Sequence, residues 1–184
     1  MTDIAYPKGL SALAASIGET RLPPVHKWNP PHCGDSEMRI AADGAWYHQG
    51  APIRRPEMVK LFSNILRRED DGSYVLVTPV EKLDIAVDDA PFVAISAESE
   101  GTGRDRRIGF RLNTGDPLIA GSEHALQVTD GEAGPKPYVH VRAGMAALIL
   151  RPVYYELVEW ALAEDHDPPG LWSDGVFFSL GSAV

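Results

Sequence analysis

The sequence predicts an α+β protein made of two related units, each combining β-strands with one helix. Residues 83–150 contain short apolar runs separated by turn residues, which is typical of β-structure. Two amphipathic segments open at Pro56 and Pro152, and they share one apolar spacing. We therefore expect an N-terminal α+β domain over residues 1–80. Over residues 81–184 we expect a small antiparallel barrel closed by a helix.

The two helical segments match position by position. Counted from each proline, apolar side chains fall at +2, +5, +6, +9 and +10, which places them on one helix face. These residues are Met58, Leu61, Phe62, Ile65 and Leu66, and then Tyr154, Leu157, Val158, Ala161 and Leu162. We predict helices from Pro56 to Glu69 and from Pro152 to about Glu164. Chance similarity of two proline-opened helices is one explanation, and duplication of a strand–helix–strand module is the other. We adopt duplication as the hypothesis.

The barrel prediction depends on seven short strands after residue 83. Turn sequences such as Asn113-Thr114-Gly115-Asp116 and Asp130-Gly131 separate them, and this spacing is typical of a small barrel or sandwich. The predicted strands are Asp84–Val87, Phe92–Glu98, Arg107–Leu112, Pro117–Ala120, Leu126–Thr129, Tyr138–Val141 and Ala146–Leu150.

The first unit contains other local signals. A short helix is predicted over residues 9–17, followed by a proline-rich, extended and ordered loop over residues 20–37. Asp43-Gly44 lies between two apolar runs and predicts a hairpin of Met38–Ile40 with Trp46–His48. Further strands are predicted at Tyr74–Val77 and Val176–Leu180.

Composition excludes several classes of protein. The net charge is −9, and all of it falls in residues 81–184, which argues against a nucleic-acid partner or a membrane surface. A single cysteine, Cys33, excludes an internal disulfide and a cysteine-rich metal site. Apolar runs are too short for a transmembrane helix, and residues 1–4 do not resemble a signal peptide. We expect a soluble cytoplasmic protein without cofactor or metal, and its oligomeric state stays open.

Two arginines suggest an anion site. Arg55 and Arg151 precede the two predicted helices at the same position, and Arg54 precedes Arg55. A cation is unfavourable near a helix N-terminus, so we expect a compensating negative group. That group is either a structural carboxylate or a ligand phosphate held by arginine and by helix N–H groups.

The predicted domain junction supplies further candidates. Thr78, Glu81 and Lys82 offer a hydroxyl, a carboxylate and an ammonium within five residues. They form either a solvated connector or part of a ligand site. Trp46 either stacks on a ligand base or belongs to the core. Lys82 would add a second positive charge beside the arginines.

Catalytic signatures are absent from the sequence. It contains no G-x-G-x-x-G, no P-loop and no G-x-S-x-G. An enzyme remains the alternative hypothesis, as a hydrolase of a small phosphorylated or acyl substrate. Glu81, Asp35 or His32 would then be the general base.

Motifs along nearly the whole chain resemble a bacterial family of unknown function, DUF1285. The matching segments are Trp28–Pro30, Cys33–Asp35, Met38–Ile40, Leu61–Ser63, Leu76–Lys82, Asp88–Phe92, Pro137–Arg142 and Tyr154–Val158. The resemblance implies a domain duplication whose C-terminal half superficially resembles pleckstrin-homology-like barrels. It also implies a pocket between the halves for a nucleotide-like ligand and a role in signal transduction. It implies no catalytic residues.

These observations combine into one functional hypothesis. We expect a non-catalytic protein that binds a small anionic, nucleotide-like molecule at the interface of the two domains. The predicted ligand-binding residues are Arg54, Arg55, Trp46, Thr78, Glu81 and Lys82.

Overall fold

A computed structural model describes residues 22–181 of the 184-residue chain. The helix predicted over residues 9–17 lies outside the described residues. The first part of the proline-rich segment contains a 3₁₀ turn at Val25–Lys27. Its last part belongs to a strand, because β1 begins at His32 and continues to Ile40.

The first sheet has six strands in the order β3-β2-β1-β6-β5-β4. They are β1 (His32–Ile40), β2 (Trp46–His48), β3 (Ala51–Pro52), β4 (Leu66–Arg68), β5 (Tyr74–Val77) and β6 (Lys82–Val87). Two antiparallel three-stranded meanders meet at the centre, where β1 pairs with β6 in parallel. Helix α1 (Pro56–Asn64) joins the two edge strands, β3 and β4.

The second sheet repeats this strand arrangement, in the order β10-β11-β12-β7-β8-β9. Its strands are β7 (Phe92–Glu100), β8 (Arg107–Leu112), β9 (Pro117–Ile119), β10 (Leu126–Gly131), β11 (Gly134–Arg142) and β12 (Met145–Ile149). Two antiparallel meanders again meet in one parallel pair, here β7 with β12. A 3₁₀ turn, Gly103–Asp105, lies between β7 and β8.

The last elements close one side of the second unit. Helix α2 (Arg151–Ala163) follows β12 directly. A hairpin of β13 (Gly170–Ser173) and β14 (Val176–Ser179) comes after it. The Ser173 hydroxyl joins this hairpin to the sheet, because it accepts the Ile108 N–H at 2.9 Å and donates to the Ala120 carbonyl at 2.7 Å.

The prediction of two similar sheet-plus-helix units is confirmed, but the closed barrel is wrong. The second sheet is open, since among the described strands β9 and β10 are its unpaired edges. A likeness to pleckstrin-homology-like barrels is therefore not confirmed. The helices also differ in chain position, because α1 lies between the two meanders and α2 follows both. The strand arrangement of the sheet is therefore repeated in both units. The two helices, although their apolar residues have the same spacing, do not occupy equivalent positions in the order of elements.

The predicted first helix is too long. It ends at Asn64, and Ile65 leaves the helical conformation with φ −102° and ψ 7°. Leu66–Arg68 forms β4 instead and pairs with β5. Leu66 pairs with Leu76 across a hairpin. Strand pairing therefore provides the main-chain hydrogen bonds of this segment, which the prediction had assigned to the last helical turn.

The boundary between the two sheets lies later than residue 80. Strand β6, Lys82–Val87, pairs with β1 and β5 and so belongs to the first sheet. The second sheet begins at Phe92. The link between the two sheets is therefore the turn at residues 88–91.

The two units share one continuous apolar core. It includes Trp46 of β2, 1% exposed, and Phe92 of β7, fully buried, within a single cluster. Among the described residues, neither helix is long and apolar enough to cross a membrane.

Candidate functional site

A cavity of about 700 Å³ lies in the first unit, where α1 faces the sheet. This volume is within the range of small-molecule sites, roughly 300–1,000 Å³. Its lining residues all fall between positions 36 and 83: Ser36, Met38, His48, Ala51, Pro52, Ile53, Arg54, Arg55, Met58, Phe62, Ile65, Leu76, Thr78, Glu81 and Leu83. The sequence analysis expected a site between the two units, and this cavity lies within one of them.

Most of the cavity wall is apolar. Sheet and helix both contribute, through Met38 and Leu76 on strands and Phe62 on α1. Met38 and Leu76 are 7% and 5% exposed, so they lie at the buried end of the cavity. The apolar residues of α1 therefore have two roles. Val59 and Phe62 pack against the core, and Met58 and Phe62 border the open volume, whereas Leu61 of the predicted stripe is 60% exposed.

Arg54 and Arg55 lie at the mouth of the cavity, in the link between β3 and α1. Both side chains are exposed, and within residues 22–181 neither guanidinium makes an ion pair or hydrogen bond. Arg55 is the N-cap residue of α1, with extended φ and ψ of −88° and 113°. The two guanidinium groups are thus available to a negatively charged ligand.

The helix N-terminus itself contributes little to an anion site. Pro56 has no N–H, and the Met58 N–H donates to the Arg55 carbonyl at 3.1 Å. We had expected arginine and free helix N–H groups to bind an anion together. In this structure the guanidinium groups are the main groups that could bind it.

Thr78 and Glu81 also line the cavity, and they form one tight turn. The Thr78 hydroxyl accepts the N–H groups of Val80 at 3.3 Å and Glu81 at 3.2 Å. This hydroxyl is therefore engaged by the main chain. The Glu81 side chain is exposed and lines the same cavity as the two arginines.

Two predicted ligand-binding residues do not line the cavity. The Nζ of Lys82 lies 3.5 Å from the Glu69 carboxylate. Trp46 is buried and stacks on Phe62, with 6.4 Å between ring centroids and 19° between planes. Of the two interpretations of Trp46, the core is the one the structure supports. Trp46 supports the cavity wall from behind Phe62.

Arg151 does not share a site with Arg55. Its Nη2 donates to the Ala133 carbonyl at 2.8 Å, on the exposed surface of the second unit. The two residues have the same position relative to a proline, but their partners differ. The anion hypothesis therefore rests on Arg54 and Arg55 alone.

Of the three candidate general bases, only Glu81 borders the cavity. His32 Nε2 lies 2.9 Å from a carboxylate oxygen of Asp84, and both side chains are about half exposed. Asp35 accepts the Glu37 N–H at 2.7 Å within a turn. In the part of the chain that the structure describes, no three histidine, cysteine, aspartate or glutamate side chains are grouped to hold a metal ion.

Sequence reasoning missed His48, Ser36 and the apolar wall. His48 ends β2 and Ser36 lies in β1, so both reach the cavity through pairing in the first sheet. The apolar residues of the predicted helix had been placed on one helix face only. Their helical spacing indicates burial, but it gives no information about whether the opposite wall fills the space.

Polar side chains cross the boundary between the two units, beside the apolar core that they share. Lys60 of α1 forms an ion pair with Asp116, and Arg142 donates to the Ser63 carbonyl at 2.7 Å. Asn113 donates to the Gly44 carbonyl at 3.0 Å. These contacts attach α1 and the first hairpin to the second sheet.

Comparison with known proteins gives two family matches. A model described as "Domain of unknown function (DUF1285), N-terminal domain" matches residues 23–90. A model described as "Protein of unknown function (DUF1285), C-terminal domain" matches residues 91–180. The division between the two matches falls in the turn that links the two sheets.

Two solved structures are similar to the chain. A DUF1285 family protein from Silicibacter pomeroyi DSS-3 shares 49% identity over 96% of both chains, with a TM-score of 0.82. A DUF1285 family protein from Shewanella baltica OS155 shares 26% identity over 66% of this chain and 90% of the other, with a TM-score of 0.53. A comparison with curated proteins found no match.

Proposed function

The chain belongs to the DUF1285 family, and since that family is of unknown function, we propose from the cavity that the protein binds a small anionic molecule. The single observation that carries this proposal is the pair Arg54 and Arg55. Both border a cavity of about 700 Å³, and neither is neutralised by another described residue.

The charge arrangement supports an anion rather than a cation. Two guanidinium groups and one carboxylate, that of Glu81, border the mouth, so the local balance is positive although the chain is acidic. Guanidinium groups bind carboxylates and phosphates in a bidentate geometry. Glu81 lies beside the site and disfavours ligands of high negative charge, because like charges repel.

We place the site inside the first unit instead of between the two units. The packed contacts of Lys60, Arg142 and Asn113 occupy the boundary between units, whereas the cavity lies on the other side of α1. A nucleotide-like ligand would place its phosphate at the arginines. It would not stack on Trp46, which is buried behind Phe62.

A signalling role would depend on α1. One side of this helix lines the cavity through Met58 and Phe62, and the other side contacts the second unit through Lys60 and Ser63. A ligand that moves α1 would therefore change contacts in the second unit. Ligand binding in the cavity would in this way alter the surface of the second unit.

The test is titration calorimetry with the full chain and three anionic probes: adenosine monophosphate, decanoate and decyl phosphate. Adenosine and decanol serve as neutral counterparts. At least one anion is expected to bind with one-to-one stoichiometry. Replacing Arg54 and Arg55 by glutamine should weaken this binding about 10- to 100-fold per lost charge-assisted hydrogen bond.

Arg107→Gln is the matched control, because Arg107 is exposed and lies 3.7 Å from Asp174 in the second unit. Its affinity for the same probe should equal that of the wild type. Failure of all three anions to bind, or equal loss in the control variant, would contradict the proposal.

A further inference from the structure

The cavity lining also indicates the class of ligand, if the proposed function holds. We propose that the ligand is a single-chain anionic amphiphile, with its hydrocarbon chain inside the cavity and its carboxylate or phosphate head at Arg54 and Arg55.

Most of the side chains that line the cavity are apolar. Seven large apolar residues line it, from four strands or links and from α1: Met38, Ile53, Met58, Phe62, Ile65, Leu76 and Leu83. Burying apolar surface is favourable in proportion to its area, so such a wall favours a ligand with a large apolar body.

Two of these lining residues are methionines, Met38 of β1 and Met58 of α1. Methionine is unbranched and flexible, and it adapts to ligands of variable shape. A wall of this kind suits a chain that has many conformations better than it suits a rigid ring.

Polar side chains inside the cavity are already engaged. The Ser36 hydroxyl donates to the Asp84 carbonyl at 2.7 Å and accepts the Met38 N–H at 3.2 Å. The Thr78 hydroxyl accepts two main-chain N–H groups of its own turn. A buried nucleobase needs partners for its ring nitrogens and exocyclic groups, and each unpaired group costs about tenfold or more in affinity.

The polar side chains that remain are His48, Arg54, Arg55 and Glu81, and all four are exposed. They therefore border the mouth, together with the exposed Met58, and the less exposed lining is apolar apart from the two engaged hydroxyls. This separation of an apolar interior from a positively charged mouth complements a molecule with an apolar tail and an anionic head.

The test is a chain-length series of unbranched alkyl carboxylates and alkyl phosphates, titrated as monomers into the full chain. Each added methylene should raise affinity about fourfold until the cavity is full. Carboxylates and phosphates distinguish the two possible heads. Unbranched alcohols of equal length should bind at least tenfold more weakly, and replacing both Arg54 and Arg55 by glutamine should remove that difference.

A second variant tests the location of the chain without disturbing the core. Ala51→Trp adds bulk at an exposed strand residue that lines the cavity, and it should shorten the longest chain that still gains affinity. Ala86→Trp is the control, because Ala86 is an exposed residue of β6 in the same sheet and lies outside the cavity. It should leave the series unchanged.

The outcomes separate the two proposals. Binding of adenosine monophosphate that depends on Arg54, together with no gain along the alkyl series, would overturn the amphiphile and leave the proposed function intact. Binding of neither class would overturn both. A gain along the series that both tryptophan variants share would place the chain elsewhere and overturn the inference.

Discussion

The Arg142 guanidinium donates a hydrogen bond from Nη2 to the main-chain carbonyl of Ser63, with 2.7 Å between the atoms. Ser63 lies at the end of α1 and is fully buried, whereas Arg142 ends β11 of the second unit. The Arg142 guanidinium carbon also lies 4.9 Å from the centroid of the Phe92 ring. Burial lowers the pKa of Arg142, and the Asp116 carboxylate opposes this effect. Arg142 thus attaches α1, which lines the cavity, to the second sheet.

Replacing Arg142 by methionine should therefore destabilise the protein. The substitution keeps much of the apolar contact but leaves the Ser63 carbonyl without its donor. We expect the free energy of unfolding to fall by about 1–3 kcal/mol, measured by urea denaturation. Arg151→Met is the control, because Arg151 donates to an exposed carbonyl, that of Ala133, and its effect should stay within about 0.5 kcal/mol. Equal losses in both variants would contradict the attachment.

Gly44 should tolerate no side chain. Its φ is +85°, and a Cβ built there would lie 2.7 Å from Asn113 Nδ2 and 2.7 Å from Val93 Cγ2, both in the second unit. Gly44→Ala should therefore combine a backbone cost of about 1–2 kcal/mol with a packing cost of about 1–3 kcal/mol. The measurement is the free energy of unfolding.

Gly50 provides the matched control for Gly44. Its φ is +76°, and nothing lies within 4 Å of a Cβ at that position. Gly50→Ala should show the backbone cost alone. If Gly44→Ala and Gly50→Ala lower the free energy of unfolding equally, the close approach of the hairpin to the second unit does not contribute to the cost of Gly44→Ala.

The raised pKa of Tyr138 leads us to expect that the protein loses stability in alkaline solution. Burial, the hydrogen bond of its hydroxyl to Asp89 at 2.7 Å and the Asp89 charge raise the pKa of Tyr138 to about 12. An unfolded tyrosine titrates near 10. The folded state therefore holds the proton more tightly, so this stabilisation is complete below about pH 10 and is lost as the pH rises toward 12.

Tyr138→Phe isolates this effect. Between pH 10 and 12 the wild type should lose stability faster than the variant, as followed by urea denaturation across that range. Tyrosinate absorbance of the folded wild type should show one late-titrating group that the variant lacks. Parallel stability curves for the two proteins would show that the Tyr138–Asp89 contact does not shift the proton equilibrium.

Local signals in the sequence located most elements correctly. Asp43-Gly44 predicted the first hairpin, in which Ile40 pairs with Trp46. Arg107–Leu112 forms a strand with the predicted bounds. These predictions succeeded because turn chemistry and strand alternation are encoded within a few residues.

The end of the first helix could not be read from periodicity. Leu66 falls on the apolar stripe of a helix, and it is 1% exposed as that stripe implies. It is buried from a strand, however, because β4 pairs with β5 across the turn that contains Gly72. Helical and strand spacing both place Leu66 inside, so burial alone does not distinguish them.

Long-range pairing limits prediction of the architecture and of the site. In the second sheet, the parallel pairing of β7 with β12 joins the two meanders. No local sequence pattern distinguishes an open sheet with this pairing from a closed barrel. Arg54, Arg55, Thr78 and Glu81 were predicted to bind a ligand between the units; they line a cavity within the first unit, and ligand binding by them stays a prediction. Lys82 and Trp46 were also predicted, and neither lines it. Residue type alone gives no information on which face of a strand meets the open volume.

A crystal structure of the full chain with an alkanoate that carries bromine at its chain end would show directly whether the cavity holds an anionic amphiphile. We expect one anomalous bromine peak among Met38, Phe62 and Leu76, with the carboxylate within hydrogen-bond distance of Arg54 or Arg55. A bromine peak between the two units or on the surface, with the cavity empty, would contradict binding of the ligand in the first unit.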